Sequence, residues 1–123
     1  MAAIDYNHEV NCGLSVRDLD GAIEWYERVL GFKLRQRMDQ IGFAVLETPV
    51  EGVVLGLGKA DAVEPGGAEL TWGVKDMEAA LSALEAAGAR IDGPIHDIPG
   101  VVRLLGFFDP DGNRHQFWAP PAG

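Results

Sequence analysis

The chain is 123 residues long, the size of one ordinary domain with a core that needs no staples. Apolar residues make up 47% and charged residues 24%, and 19 acids against 10 bases leave a net charge of −9. That balance excludes wholesale disorder and argues against nucleic acid, whose phosphates an acidic surface repels; it suits a neutral or cationic ligand. Apolar runs such as Val53-Val54-Leu55-Gly56-Leu57 are too short to span a bilayer. The start, Met1-Ala2-Ala3-Ile4-Asp5-Tyr6, has no basic flank ahead of an apolar stretch, so no secretory leader is expected. A single cysteine, Cys12, excludes an intramolecular disulfide and fits a reducing cytoplasm.

In chain order, Glu9 to Val16 reads as a strand. Asp18 is a natural N-cap, because its carboxylate can accept orphan amide hydrogens of the next turn. Leu19, Ala22, Ile23, Tyr26 and Leu30 then recur at helical spacing up to Gly31, a residue suited to the left-handed helix end. Three strands are expected next, over Phe32–Met38, Ile41–Glu47 and Gly52–Leu57. Lys59 to Ala68 carries the breakers Pro65, Gly66 and Gly67 and reads as a linker. Glu69 to Val74 is strand-like, Asp76 is again an N-cap, and Met77, Ala80, Leu81, Leu84 and Ala87 trace a helix that meets Gly88. The last strands are expected over Arg90–Ile91 (short and weak), Val101–Phe108 and Arg114–Trp118. The final two are joined by the turn Asp109-Pro110-Asp111-Gly112-Asn113. In the first half Thr48-Pro49-Val50-Glu51-Gly52 takes that place.

The two halves repeat. Val16-Arg17-Asp18-Leu19-Asp20-Gly21-Ala22-Ile23-Glu24 overlays Val74-Lys75-Asp76-Met77-Glu78-Ala79-Ala80-Leu81-Ser82 at a shift of 58 residues. Two copies are too few for a solenoid, so a pseudo-symmetric βαβββ pair is expected. The division is a first module over about 8–58, a linker over about 59–68 and a second module over about 69–119, together one domain spanning 1–123.

Leu14-Ser15-Val16-Arg17-Asp18-Leu19-Asp20, Trp25-Tyr26 through Leu30-Gly31-Phe32, and Phe108-Asp109-Pro110-Asp111-Gly112-Asn113 resemble the vicinal oxygen chelate superfamily, which includes glyoxalase, bleomycin-resistance proteins and extradiol dioxygenases. The resemblance covers nearly the whole chain and implies an α+β fold: two βαβββ modules forming a curved mixed sheet, a cup with helices packed outside. It does not settle a reaction. Metal-dependent relatives place His, Glu or Gln ligands on the first and last strands of each module. The matching positions here are Asn11, Gly56, Glu69 and Gln116. Only Glu69 offers the carboxylate, imidazole or thiolate that a divalent transition ion prefers, so the set disfavours a metal and no cofactor is expected.

Three histidines, His8, His96 and His115, are present. Strand alternation turns His115 away from Gln116, and His8 away from Glu9 and Asn11. His96 falls in the segment Gly93 to Gly100, expected as a loop that in relatives covers the cup mouth, and a neighbouring His96–Asp97 pair is more simply solvated than catalytic. Cys12 is expected to pack under a helix as a structural thiol. Gly52 to Gly58 reads as strand rather than a phosphate loop, and no Gly-x-Ser-x-Gly elbow occurs. Trp118 and Arg114 share parity with Gln116, and Phe43, Val45, Arg103 and Leu105 complete the expected lining. Trp72, Trp25 and Tyr26 read as core.

The leading reading is a metal-independent binding protein for a small aromatic or cationic molecule, similar to bleomycin-resistance-type proteins. Asn11, Glu69 and Gln116 would orient the guest while Trp118 or Phe43 stacks on it. The alternative is a glyoxalase-like lyase or isomerase, metal-dependent or using Glu69 as general base. A third is an accessory domain for protein association. The resemblance further implies a homodimer.

Overall fold

The computed structural model describes residues 5–63 and 69–122. The chain divides into two compact units at Asp61 and Ala62. Pro65, Gly66 and Gly67, on which the linker reading rests, lie outside the described residues. The first unit runs β1 (Val10–Val16), α1 (Leu19–Leu30), β2 (Lys33–Met38), a short 3-10 turn (Asp39–Ile41), β3 (Phe43–Glu47) and β4 (Val53–Lys59). The second runs β5 (Leu70–Gly73), α2 (Met77–Ala86), β6 (Arg90–Ile98), β7 (Val102–Phe108) and β8 (Arg114–Ala119). Each forms a four-stranded mixed sheet, ordered β1-β4-β3-β2 and β5-β8-β7-β6, in which, among the described residues, the one parallel pair joins the first and last strands. A helix crossover makes that pairing, since parallel neighbours cannot be joined by a tight turn. The α+β fold of two βαβββ modules follows from this order.

Both helices start as their sequences dictate. Asp18 accepts from the Gly21 amide at 3.2 Å and Asp76 from the Ala79 amide at 3.1 Å, each satisfying a donor the helix leaves orphaned. Gly31 ends α1 at φ 73°, whereas α2 ends on right-handed Ala87 with Gly88, at φ 71°, one residue later. One side of α1 buries Leu19, Ala22, Ile23, Trp25 and Tyr26, and the sheet of its unit buries Leu14, Val16, Ala44, Leu46, Leu55 and Leu57. Each such Leu, Ile or Val side chain contributes about 2 kcal/mol on burial. Tyr26 lies edge-on to Trp25 with centroids 4.9 Å apart and stacks on Phe32 at 5.8 Å. Cys12 is half-buried, with the strand parity of Leu14 and Val16. No helix among the described residues is long and apolar enough to cross a membrane.

Two expectations are corrected. The first strand after α2 is not a two-residue stub followed by a loop. It is β6, nine residues long, paired with β7 from Arg90↔Phe108 to Ile98↔Val102. Pro94 has the sequence character of a strand breaker, but β6 lies at the sheet's edge, where a missing amide hydrogen need not break the ladder. Gly93, at φ 75°, lies where the register slips between Asp92 and His96. Ile41, expected to open a strand, instead sits in the 3-10 turn and is 71% exposed, because Gly42 turns the chain at φ 62° and β3 starts at Phe43.

The turn from β7 to β8 is built by one buried carboxylate. Asp109 Oδ1 accepts from the amides of Asp111 at 2.9 Å and Asn113 at 2.8 Å, while Oδ2 accepts from Asn113 Nδ2 at 2.8 Å. Gly112 supplies the positive φ of 83°. In the first unit Thr48 does this work, its hydroxyl donating to the Val53 carbonyl at 2.7 Å and accepting from the Val50 amide at 3.1 Å.

Candidate functional site

In each unit one sheet face is covered by the helix and the other is open to the candidate chemistry. Cross-strand partners share a face, so the register sorts the residues. On the first unit's open face Phe43 pairs with Gly58 and Val45 with Gly56, while Gly13 lies beside Gly56 across the parallel pair. Asn11 is on this face too. A Cβ added at Gly56 would stand 2.6 Å from Phe43 Cζ and 2.8 Å from Asn11 Oδ1. Gly56 therefore seats the phenyl ring and the amide together, and any side chain there would displace them. At Gly13 an added Cβ meets nothing within 4 Å, leaving open space beside them.

At one end of this face Arg35 bridges two acids. Its guanidinium binds both oxygens of Glu9, at 3.1 and 3.2 Å, and donates from Nε to Glu47 at 3.3 Å. Arg35 is on edge strand β2 and Glu9 directly precedes edge strand β1. Flat strand spacing would put those edges about 14 Å apart, so the two extended side chains reach across the width of the sheet. Glu9, the nearest acid, raises the Arg35 pKa above the ordinary arginine value.

The second unit's open face carries Arg114, Gln116 and Trp118 on β8, opposite Phe108, Gly106 and Leu104 of β7. Arg114 donates from Nε to Asp92 at 3.0 Å and from Nη1 to Glu69 in a very close ion pair. Its guanidinium occupies the space a side chain at Gly106 would need. Thr71 lies beside Gln116 and donates to its amide oxygen at 3.4 Å. The Trp118 indole lies over Gly73, with Nε1 3.0 Å from where a Cβ would be, and the residue is 43% exposed. His96 pairs with Leu104 and so shares this face.

Arg103 and Leu105 are not among these residues, which corrects the expected lining. They pair with Ala119 and Phe117 and stand on the helix face, where Leu105 is 1% exposed. Arg103 donates to Asp97 and to Glu78 of α2, both at 2.7 Å. A one-residue error in register turns every side chain to the other face, and the strand spacing offered no marker to fix it. Asn11, Phe43 and Val45 are brought together in the first unit, and Glu69, Arg114, Gln116 and Trp118 in the second. Sequence reasoning missed Arg35 and Asp92; the strand glycines Gly56, Gly73 and Gly106 signal close approach by a neighbour, but that neighbour is Phe43 with Asn11, Trp118 and Arg114 respectively.

His115 turns inward. It is fully buried, accepts from Trp72 Nε1 at Nδ1 over 3.1 Å, and stacks on Phe107 at 5.3 Å. Burial lowers its pKa from 6.5 to about 4, so the neutral ring is the resident form at pH 7.

The parallel registers Cys12↔Leu55 and Leu70↔His115 make Gly56 and Gln116 equivalent in the two units, as are Asn11 and Glu69. A divalent ion does not fit these donors. In the first unit they are a neutral amide and a glycine whose side-chain space is taken; in the second, Glu69 is already held by a guanidinium and Gln116 is an amide. Among the described residues no three His, Cys, Asp or Glu side chains are grouped to hold a metal.

Two βαβββ units with this strand order define a glyoxalase-type fold. The match to the Glyoxalase/Bleomycin resistance protein/Dioxygenase superfamily covers residues 8–117, and the chain belongs to that superfamily. Similar solved structures include a glyoxalase/bleomycin resistance protein/dioxygenase from Nocardioides, 26% identical with a TM-score of 0.75, covering 98% of this chain and 88% of that one. TioX from Micromonospora sp. ML1 is 26% identical with a TM-score of 0.74, covering 91% and 98%. TnmS3, an antibiotic binding protein from Streptomyces sp. CB03234, shares the fold at 24% identity and a TM-score of 0.77, covering 98% and 99%. Comparison with curated proteins gives no match.

Proposed function

We propose that this protein binds a small aromatic, neutral or cationic molecule on its open sheet faces, without a metal and without chemical turnover. The observation that carries this reading is Trp118, a half-exposed indole on a glycine floor with the Gln116 amide two residues away on the same face. An exposed aromatic beside fixed hydrogen-bonding groups supplies the stacking and orienting parts of a small-molecule site. The net charge of −9 favours a cationic guest. TnmS3 is a precedent for this fold in antibiotic binding, though at 24% identity it lends no residue roles. The glyoxalase-like alternative would use Glu69 as a base, but its carboxylate is engaged by Arg114, which favours a positioning role. We further read the protein as a homodimer of the reducing cytoplasm, checked by light scattering on protein in reductant.

The test is a titration of tag-free, metal-analysed protein with proflavine, a cationic planar dye, and with a neutral planar analogue, read by tryptophan fluorescence. Saturable quenching that survives chelator is expected, weakened roughly tenfold or more in Trp118→Ala, as for a stacking anchor. Quenching that requires one divalent ion, or the absence of saturable binding by either probe, would sink the reading.

A further inference from the structure

The arginine expected on the ligand face acts from behind it. Arg103, its side chain only 15% exposed, joins Asp97 of β6 to Glu78 in the first turn of α2. The first unit holds a matching arrangement: Arg37 of β2 joins Asp20, in the first turn of α1, to Asp39 in the β2–β3 turn, both at 2.5 Å. Asp20 and Glu78 are 58 residues apart, as are Asp39 and Asp97, which is the repeat spacing. The arginines do not repeat, because the residue 58 after Arg37 is Ile95. Two different strands thus supply a guanidinium to the same pair of acidic positions. A bidentate-capable planar group is suited to tying two carboxylates at fixed angles.

What lies on the other side of each clamp is the aromatic end of the open face. Arg37 pairs with Ala44, the neighbour of Phe43, and Met38 pairs with Phe43 itself. Arg103 pairs with Ala119, the neighbour of Trp118, and the adjacent Leu104 pairs with Trp118. We propose that Arg103 is a positioning residue for the ligand face. By pinning the β6–β7 hairpin to α2 it fixes the Leu104–Trp118 rung on which the guest stacks, and Arg37 does the same for Phe43. The inference deepens the binding reading and rests on it for the ligand, but not for the order it imposes on Trp118.

The experiment labels the protein with 5-fluorotryptophan, giving resonances for Trp25, Trp72 and Trp118, with Trp118→Phe assigning the last. Arg103→Gln is expected to broaden or shift the Trp118 line while those of Trp25 and Trp72 stay in place. Proflavine affinity falls roughly fivefold, the scale of losing a partly sheltered ion-pair network. Arg103→Lys restores part of both effects, whereas Arg103→Met, which keeps an apolar stem of similar length without the charge, does not, an order that mere loss of packing would not predict. Glu78→Gln and Asp97→Asn each remove one arm and give intermediate values, so the proposal remains testable should Arg103→Gln fold poorly. A Trp118 line and a dye affinity unchanged in Arg103→Gln, Glu78→Gln and Asp97→Asn overturn it. If the unmodified protein binds neither dye, the binding reading fails alone, and the Trp118 line still decides whether Arg103 positions it.

Discussion

The two units share strand order and register but differ in what they place at equivalent positions. Behind the first sheet the position is Leu55, in an aliphatic layer; behind the second it is His115, tied to Trp72. In front, the first unit offers Asn11 and a glycine-seated phenyl ring, and the second offers Glu69, Gln116 and an exposed indole. One backbone plan thus accepts a dry core or a polar one, provided the buried imidazole is hydrogen-bonded. The cost of that polarity appears only when pH changes.

The largest contrast to test is therefore His115 against Leu55. Unfolded chain protonates this imidazole near pH 6.5 and folded protein near pH 4, so between those values the unfolded state holds more protons. Stability is full above pH 6.5 and falls as pH drops toward 4, by on the order of 3 kcal/mol. Urea denaturation across that range measures it. The double variant His115→Leu with Trp72→Phe, which gives the second unit the chemistry of the first without orphaning the indole N–H, is expected to flatten this part of the pH profile. An unchanged profile would assign the loss to other groups.

The turns give the next contrast. Asp109→Ala removes a buried acceptor of three hydrogen bonds and should cost about 3 kcal/mol in denaturant midpoint analysis. Thr48→Ala, which removes one donor and an acceptor in a more exposed turn, should cost about 1 kcal/mol. Equal losses would mean that the first turn depends on its side chain as heavily as the second.

Smaller again is the pair of facing glycines. Gly56→Ala must push aside Phe43 and Asn11 and is expected to cost about 2 kcal/mol. Gly13→Ala projects into open space and should leave stability within about 0.5 kcal/mol. If Gly13→Ala weakens dye binding at unchanged stability, the first unit's face belongs to the ligand site. The smallest contrast is between the helix caps: Asp18→Ala and Asp76→Ala each lose one amide bond and about 1 kcal/mol in thermal unfolding.

Much of the fold was legible because its signals are local. Asp18 and Asp76 mark helix starts, Gly31 and Gly88 mark ends, and the repeat around Val16 and Val74 tells that the unit occurs twice. What resisted were features decided by neighbours in space. Pro94 reads as a breaker until its strand is known to lie at an edge. Arg103 and Leu105 depend on the pairing across the Asp109–Asn113 turn, Phe108 against Arg114, which the turn residues alone do not count, whereas Arg114, Gln116 and Trp118 share a face by alternation along one strand. The ion pairs of Arg35 and Arg114 join residues 26 and 45 positions apart, a separation that charge patterning along a chain does not reveal.

The interrupted edge of β6 also bears on self-association. An exposed, unbroken strand edge is a row of free donors and acceptors on which another chain can add a strand. Along β6, Pro94 offers no donor, Gly93 takes a positive φ and the register slips beside them. The opposite edge strand of that sheet, β5, is only four residues long. Neither edge presents a long regular template, so the second sheet is protected against open-ended strand addition at high concentration.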